Sequence, residues 1–520
     1  MDFTFRLQNM DRTNVLRQPR VKYEIGRLAW RSYGYCYDAD VAFGGDPMEV
    51  ANMAKQVGKR IEIVAPNGTV CWWGFIESVE LTTGTITKTI SIEKMTNRVN
   101  VLYSEVDFAG ETVPKETGWI ENADSIITFG KKESKPTLQQ ATADSASKFA
   151  NRTLDARKFA IVEKDISTNA PNALSGTLRL KGDWALLDWL FYAYTGGKTS
   201  YETEGDGERA IGDGSGILKA AGAFIMPIGT TASYRYVGLK VQRVGAPTDN
   251  FIVQIAANVA GSPDAPGTIL QTASVEGASL PTSMSWVTFT MPATQQMTAG
   301  TKYWIVFSRS GAASGSNYYK VDVNATPGIT NYMVTWGGSA WAAANPAATL
   351  LVKLGGEEDL IAQLLRVVDT AYCGQFFKGS DSNFANAGVA ENPYRDGMST
   401  GLACAEEMMS KGTSNNYRIL SNVTPDGYVR FFGEPQRTDP ISFSIKANGK
   451  VYEFPDRELP LWEYGKAVGR WLRLIGVMPG STSEMTMIDS DVMFCDGIDV
   501  DVTNGTARMI ERTAEAMIGG

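Results

Sequence analysis

Between residues 234 and 323 the chain repeats one pattern six times: a run of seven to eleven residues rich in Val, Ile, Tyr, Phe and Trp, closed by Gly, Pro, Asp, Ser or Thr. The runs are "YRYVGLKVQRV", "NFIVQIAAN", "TILQTASV", "SWVTFTM", "KYWIVFSR" and "NYYKVDV". Side chains in a strand alternate between faces, so Val237, Leu239 and Val241 against Gly238, Lys240 and Gln242 predict a strand buried on one side. In "KYWIVFSR" both faces are apolar. Tyr303, Ile305 and Phe307 share one and Trp304 and Val306 the other, which predicts packing on both, and Trp286 is read the same way. The loops "GAPTDN" and "GSPDAPGT" supply the residues that tight connections need. Residues 210–355, poor in charge and of a typical domain size, are therefore expected to form a two-sheet, jelly-roll-like sandwich.

A chain of 520 residues is too long for one core, and roughly three units are expected. Residues 20–107 alternate in short runs broken by "APNGT" and "TTGT", the spacing of antiparallel hairpins, which predicts a β-barrel or sandwich over 1–110. Phe75, Glu77 and Val79 fall on one face there and Ile76, Ser78 and Glu80 on the other, a mixture that suits strands contacted on both sides. An α+β segment is expected at 111–205. Its helix would bury Ala143, Ala146, Phe149, Ala150, Thr153 and Leu154, and "ALLDWLFYAYTGG" would add a short one. The Gly-rich 202–218 reads as a linker. Gly355 and Gly356 precede a helix whose first turn would carry Glu357, Glu358 and Asp359. The segment 357–520 is read as α+β, with a second helix at "TGLACAEEMMSKG" and a final 35 residues forming an edge strand or two and a short terminal helix.

The chain contains no histidine, which removes Ser/His/Asp and Cys/His catalysis and His-ligated zinc. Its net charge of −8 gives no basic footprint for nucleic acid. Neither a signal peptide nor a membrane span is expected. Cys36, Cys71, Cys373, Cys404 and Cys495 are odd in number and widely spaced, and are read as reduced, mostly buried thiols. Carboxylates such as Asp183, Asp188, Glu357, Glu358 and Asp359 are read as caps and solvated charge. "DSDVMFCDGIDVD" lacks the spacing of a calcium loop. "GDGERAIGDGSG" lacks the Lys-Ser/Thr ending of a phosphate loop. No catalytic residue, cofactor site or metal site is assigned.

"WIENADSIITFGKKES", with Ser125, Ile126, Phe129 and Gly130, followed by "TADSASKFANRTLDARK", resembles a segment of the tail hub and baseplate proteins of tailed bacteriophages. "WWGFIESVEL", with Gly74, is similar to the first β-barrel of that family, and "YRILSNVTPDGYVRFFGEP" to a segment of its C-terminal half. The middle block, with "VGLKVQRVGAPTDNFIVQI", "GSPDAPGTIL", "SWVTFTM" and "MTAGTKYWIVFS", resembles carbohydrate-binding-module-like β-sandwiches. Together these resemblances imply a mainly β chain with α+β parts, in which hub-type domains are interrupted by an inserted jelly-roll sandwich.

They also imply a function: a virion structural protein of the tail tip, assembled in the host cytoplasm, non-enzymatic and without cofactors. It would be a homo-oligomer, a trimer being favoured, contacting other tail proteins and host-surface polysaccharide. Rings of this kind would bury about 2,000 Å² or more per interface. Candidate glycan contacts are the aromatic side chains near loops, Tyr318, Tyr319, Tyr332, Trp336 and Trp341, which offer flat apolar faces, with Asn317 and Asn331 for sugar hydroxyls. Two rivals stand beside this reading: a distal tail ring protein carrying a binding module, and a glycan-cleaving depolymerase using two carboxylates about 5–10 Å apart.

Overall fold

The computed structural model describes the chain except for residues 1–2, 17–18, 107–111, 167–173, 195–197, 202–204, 227–231, 262, 326–331, 346, 373–374, 385–389, 392, 394, 414–417, 436–439, 446–449, 454–456, 477–492 and 513–520. The protein is mainly β with α+β parts. The chain divides into two compact units. One is discontinuous, 1–192 with 361–389 and 397–520; the other is 193–360 with 390–396. Where the sequence suggested four segments, residues 1–110, 111–192 and most of the C-terminal third thus share one unit.

The discontinuous unit is built on a 14-stranded sheet. Thr4–Gln8, Arg60–Val64, Val70–Thr83, Ser175–Lys181, Tyr35–Gly45 and Val21–Arg31 follow one another as antiparallel neighbours. Val21–Arg31 then pairs with Met493–Asp501, Arg27 opposite Asp501 and Arg31 opposite Gly497. Sequence analysis placed the last strands at an edge, but this strand is interior: Phe494, Cys495, Ile498 and Val500 are buried, and Thr506–Arg512 pairs with it as well. The core of this sheet includes Leu28, Trp30, Val41, Ile61, Ile63, Trp72, Ile76, Val79 and Leu178. Burying two tryptophans requires acceptors for their N–H groups. Trp30 Nε1 donates to the Cys71 carbonyl and Trp72 Nε1 to the Ala29 carbonyl, both at 3.3 Å.

The helix Ala143–Arg157 starts at Thr142, whose hydroxyl accepts from Ser145 N at 3.3 Å, satisfying a donor that the first turn leaves open. Ala146, Ala150 and Leu154 are buried, whereas Phe149 is 37% exposed, because the face in contact is narrower than the apolar periodicity suggested. Thr400 caps Gly401–Lys411 in the same way, and Gly412 ends it at φ 74°, a conformation glycine adopts at little cost. In place of the short helix expected over "ALLDWLFYAYTGG", "DWALLD" forms a 3₁₀ helix, Asp183–Asp188, and "FYAY" a strand, Phe191–Tyr194.

The second unit is a sandwich of a seven-stranded and a six-stranded sheet. Between the sheets lie Phe224, Tyr234, Val237, Leu239, Val241, Phe251, Val253, Ile255, Phe289, Ile305, Phe307, Tyr319 and Val321. The Gly-rich stretch expected to be a linker contributes Gly207–Ile211, paired with Tyr318–Asn324. Ile211 is buried in the core. Glu357–Asp359 do not open a helix either. Glu357 meets Arg235 at 2.5 Å and the Tyr236 hydroxyl, Glu358–Asp359 pairs with Ala390–Glu391, and the helix begins at Leu360.

Candidate functional site

The six-stranded sheet runs Ala265–Glu276, Asn250–Val259, Lys302–Arg309, Lys219–Ile225, Met333–Trp336, Trp341–Ala343. Since alternate residues point to opposite faces, the side chains turned away from the sandwich core fall into three rows across the strands. One holds Ala256, Trp304 and Ala223, with Tyr332 beside them. The middle row holds Gln254, Val306, Ala221, Val334 and Ala343. The third holds Ile252, Ser308, Lys219, Trp336 and Trp341. From Lys219 to Ala223 is four residues, so the outer rows lie about 13 Å apart along the strands.

Trp304, Val306, Ala221, Ala223, Ala256 and Val334 form a buried apolar floor, against which Tyr332 and Trp341 pack. Tyr332 meets Trp304 edge to face, with centroids 5.6 Å apart and planes at 85°. Trp336 meets Trp341 at 5.5 Å and 62°. All three outer rings stay half-buried. Trp304 Nε1 donates to Asn258 Oδ1 at 2.8 Å. Lys302 Nζ lies 5.3 Å from the Tyr332 centroid and 2.7 Å from Asp264. The hydrogen bond from Lys302, joined by Gly261 N–H, holds the Asp264 carboxyl below its usual value. The result is a pre-ordered aromatic surface with a cation at one margin and the exposed Lys219 beside Trp336 at the other.

Tyr332, Trp336 and Trp341 are therefore brought to one face, and the remaining candidates are not. Tyr319 is fully buried between the sheets. Its hydroxyl donates to the Asp249 carbonyl at 2.9 Å, and its ring meets Phe251 at 5.2 Å. Burial, then the bond to Asp249, push that phenol upward. Arg309 grips Asp249 with two bonds of 2.8 Å. Burial alone would raise Asp249, but Arg309, Gly311 N–H and Tyr319 outweigh it and leave the carboxyl lowered. Asn317 has its side-chain oxygen taken by Ala246 N at 2.7 Å and its carbonyl by Arg309 at 2.8 Å, so it fixes a loop. Tyr318 is half-buried on the seven-stranded sheet, opposite Val244. Asn331 lies outside the described residues. Sequence reasoning missed the alanine floor and Asn258; the small residues at every second position of "KAAGAFI" were the available signal.

Elsewhere, Asp183, grouped by sequence with solvated carboxylates, is fully buried against Arg60 and Arg12, at 2.6 and 3.0 Å. Asp188 accepts from the Thr400 hydroxyl at 2.8 Å. In the C-terminal acidic run, Asp499 meets Arg31 at 2.8 Å and Arg27 at 3.4 Å. Cys36, Cys71, Cys404 and Cys495 are buried, and Cys373 lies outside the described residues. A depression of about 670 Å³ in the discontinuous unit is lined by Asp38, Asp40, Glu77, Glu80 and Glu93 with Arg27, Arg179 and Lys181. Burial raises Glu77 there. Among the described residues no cluster could hold a metal ion, and no helix is long and apolar enough to cross a membrane.

The chain matches no family model and no curated protein. Among solved structures it is similar to the clostridial cysteine protease Cwp84 after propeptide cleavage, at 11% identity and a TM-score of 0.23, over 56% of this chain and 73% of that one. It is similar to the isomalto-dextranase of Arthrobacter globiformis T6 in complex with panose at 10% and 0.17, over 54% and 36%. The Cry4Aa toxin of Bacillus thuringiensis aligns at 10% and 0.16, over 62% and 57%.

Proposed function

We propose that the protein is a structural component of a phage tail tip, a baseplate or tail hub subunit that assembles into a ring and carries a glycan-binding sandwich. The observation behind this reading is the interrupted architecture. Residues 1–192 and 397–520 share one compact unit while 193–360 form another, an arrangement suited to an assembly scaffold that displays an accessory module. On the module, Tyr332, Trp336 and Trp341 present ring faces for stacking on the C–H side of pyranose rings. Packing of Tyr332 and Trp341 on the floor, and of Trp336 against Trp341, lowers the ordering cost of binding. Many copies in a ring would multiply weak contacts through effective concentration.

The test is direct. Light scattering of the purified protein and imaging of the particle should give a closed oligomer, threefold for a hub, at the tail tip. A sixfold ring would favour the distal tail reading, and a monomer absent from the particle would end both. One observation favours the catalytic rival: a half-buried Glu77, its pKa raised by burial among other carboxylates, has the character of a general acid. Release of reducing ends from host polysaccharide, abolished by Glu77→Gln, would replace the binding reading with that one.

A further inference from the structure

In the discontinuous unit, the hairpin that joins Val21–Arg31 to Tyr35–Gly45 ends on a strained residue. Tyr35 has a φ of 69°, a conformation rare for a bulky side chain and kept only where the surroundings enforce it. Here they do. Gly34 N donates to the Ser421 carbonyl at 2.9 Å and to its hydroxyl at 3.0 Å, and the Gly34 carbonyl accepts from Val423 N at 3.3 Å. The Ser32 hydroxyl donates to Asp496 at 2.5 Å. The Tyr35 ring stacks on Trp73, with centroids 5.4 Å apart and planes at 29°. Its hydroxyl makes no hydrogen bond among the described residues.

Tyr35 lines a cavity of about 700 Å³ that lies wholly within this unit, a size inside the roughly 300–1,000 Å³ of small-molecule sites. The charges on its wall are unequal: Arg31, Lys466 and Arg470 against Glu453. The carboxylates that answer two of these cations are not on that wall. Asp499 takes Arg31 Nη1 at 2.8 Å, and Glu463 takes Lys466. Glu453 is itself met by Arg457 at 3.3 Å. The exposed Arg470 forms no ion pair among the described residues. Burial pushes the Tyr35 phenol up and the charge of Arg470 pulls it back, so the two side chains lie in each other's field. Phe432, Phe443, Ile441 and Val468 add apolar wall.

We infer that this cavity binds a small aromatic oxyanion, a carboxylate or phosphate ester on a single ring, with its anionic head at Arg470 and the Tyr35 hydroxyl and its ring on the apolar wall. An unpaired guanidinium beside an unbonded hydroxyl offers charge-assisted donors to such a head. The locked backbone at Tyr35 orders the seat before the ligand arrives, which lowers the cost of binding. A bare inorganic anion would leave the apolar wall uncovered, and an uncharged ring would leave Arg470 unanswered. The site is independent of the proposed role in a tail tip, and it belongs to a different unit from the aromatic face proposed to take glycan.

The experiment uses the full chain, with saturation-transfer NMR and calorimetry as readouts. The probes are phenyl phosphate and benzoate, beside inorganic phosphate, benzyl alcohol and benzylamine. At least one aromatic anion should bind saturably at millimolar concentration, and comparing the two identifies the preferred head. Inorganic phosphate and benzyl alcohol, each lacking half of the match, should bind about tenfold more weakly, and benzylamine not at all. Arg470→Gln, at an exposed position, should weaken the aromatic anion about tenfold. Tyr35→Phe, which keeps the ring on Trp73, should weaken it several-fold with the melting temperature unchanged. Absence of saturable binding by both aromatic anions would overturn the inference, as would benzylamine or inorganic phosphate binding equally well. So would an affinity unchanged in Arg470→Gln.

Discussion

The interior of the sandwich is filled by Phe224, Phe251, Phe289, Ile305 and Phe307, with Tyr319 turning its hydroxyl to the rim where Asp249 and Arg309 pair. In the discontinuous unit, Arg12, Asp183 and Arg60 lie as deep as the tryptophans around them. The first core is stabilised mainly by removing apolar area from water, roughly 25 cal/mol per Å². The second adds charges whose favourable energy depends on every partner being present. An apolar core assembled from neighbouring hairpins tolerates local change. A charged one makes the fold conditional on residues far apart in sequence.

The largest effects should come from breaking each core in its own way. Asp183→Asn leaves two buried guanidinium groups without a carboxylate and should cost about 3–5 kcal/mol. Phe251→Ala opens a cavity and should cost about 3–5 kcal/mol as well. Hydrogen exchange read by peptide distinguishes them: the first should loosen amides around 4–8 and 60–83 and spare 250–259, and the second should do the reverse. Adding Arg60→Met to Asp183→Asn should recover a large part of the loss, because one of the two uncompensated charges is gone. No second-site removal of charge should rescue Phe251→Ala.

The next effect is a response to pH whose alkaline arm belongs to the discontinuous unit. Burial lowers Lys132 to about 8 in the face of Glu77, Asp188 and Glu93. Its ammonium also donates to the Ile92 and Glu93 carbonyls, at 2.7 and 2.6 Å, and lies over Trp189 at 5.0 Å. The folded form releases this proton more readily than the unfolded chain, which holds it to the ordinary lysine value of 10.5. The discontinuous unit should therefore gain stability as pH rises through that window, with Arg12, lowered to about 10, adding in the same direction at the top of it. Lys132→Met should flatten the rise. In the sandwich, Asp249 is lowered, so its contribution is present above the ordinary carboxylate pKa and lost as pH falls through the folded value. Chemical denaturation at pH 3, 7 and 9.5, followed by peptide exchange, checks both signs.

A smaller loss is expected at a helix start. Thr142→Ala removes the acceptor for Ser145 N and should cost about 1 kcal/mol, seen as faster exchange in the first turn of Ala143–Arg157 alone.

How far the sequence revealed these regions follows from the same contrast. The sandwich strands were legible because a strand's two faces are written at every second residue: Val237, Leu239 and Val241 are fully buried. The two helices were legible from their apolar spacing, whereas their caps, Thr142 and Thr400, were not singled out. Gly207–Ile211 was not legible, since glycine and charge at a sheet margin look the same as a linker; its strand character comes from pairing with Tyr318–Asn324. Met493–Asp501 read as an edge for its acidic residues, yet Asp499 is matched by Arg27 and Arg31 from the other end of the chain. Asp183 looked like any carboxylate at a helix start until Arg12 and Arg60 reached it. At the candidate site, aromatic identity was visible, but which rings share a face was not. Tyr318, Tyr319 and Tyr332 differ only in register and strand, and that decides whether each ring is on one sheet, in the core or on the other sheet.

The smallest effect on stability should accompany the most informative one on binding. Trp336 and Trp341 form one edge-on pair at the margin of the six-stranded sheet, so Trp336→Ala should cost about 1 kcal/mol or less, the range of such a pair. Trp304 lies beneath a different ring, Tyr332, and is fully buried, so Trp304→Ala should cost about 3–5 kcal/mol. If the surface takes host polysaccharide, Trp336→Ala and Trp341→Ala should each reduce retention on that polysaccharide about tenfold, in line with the loss of roughly 1.4 kcal/mol of stacking, with the exchange pattern unchanged. Tyr318→Ala, on the seven-stranded sheet, should leave retention as it is. Retention lost equally in all three variants would point to a general weakening of the sandwich, and retention unchanged in the two tryptophan variants would remove this face as the binding surface.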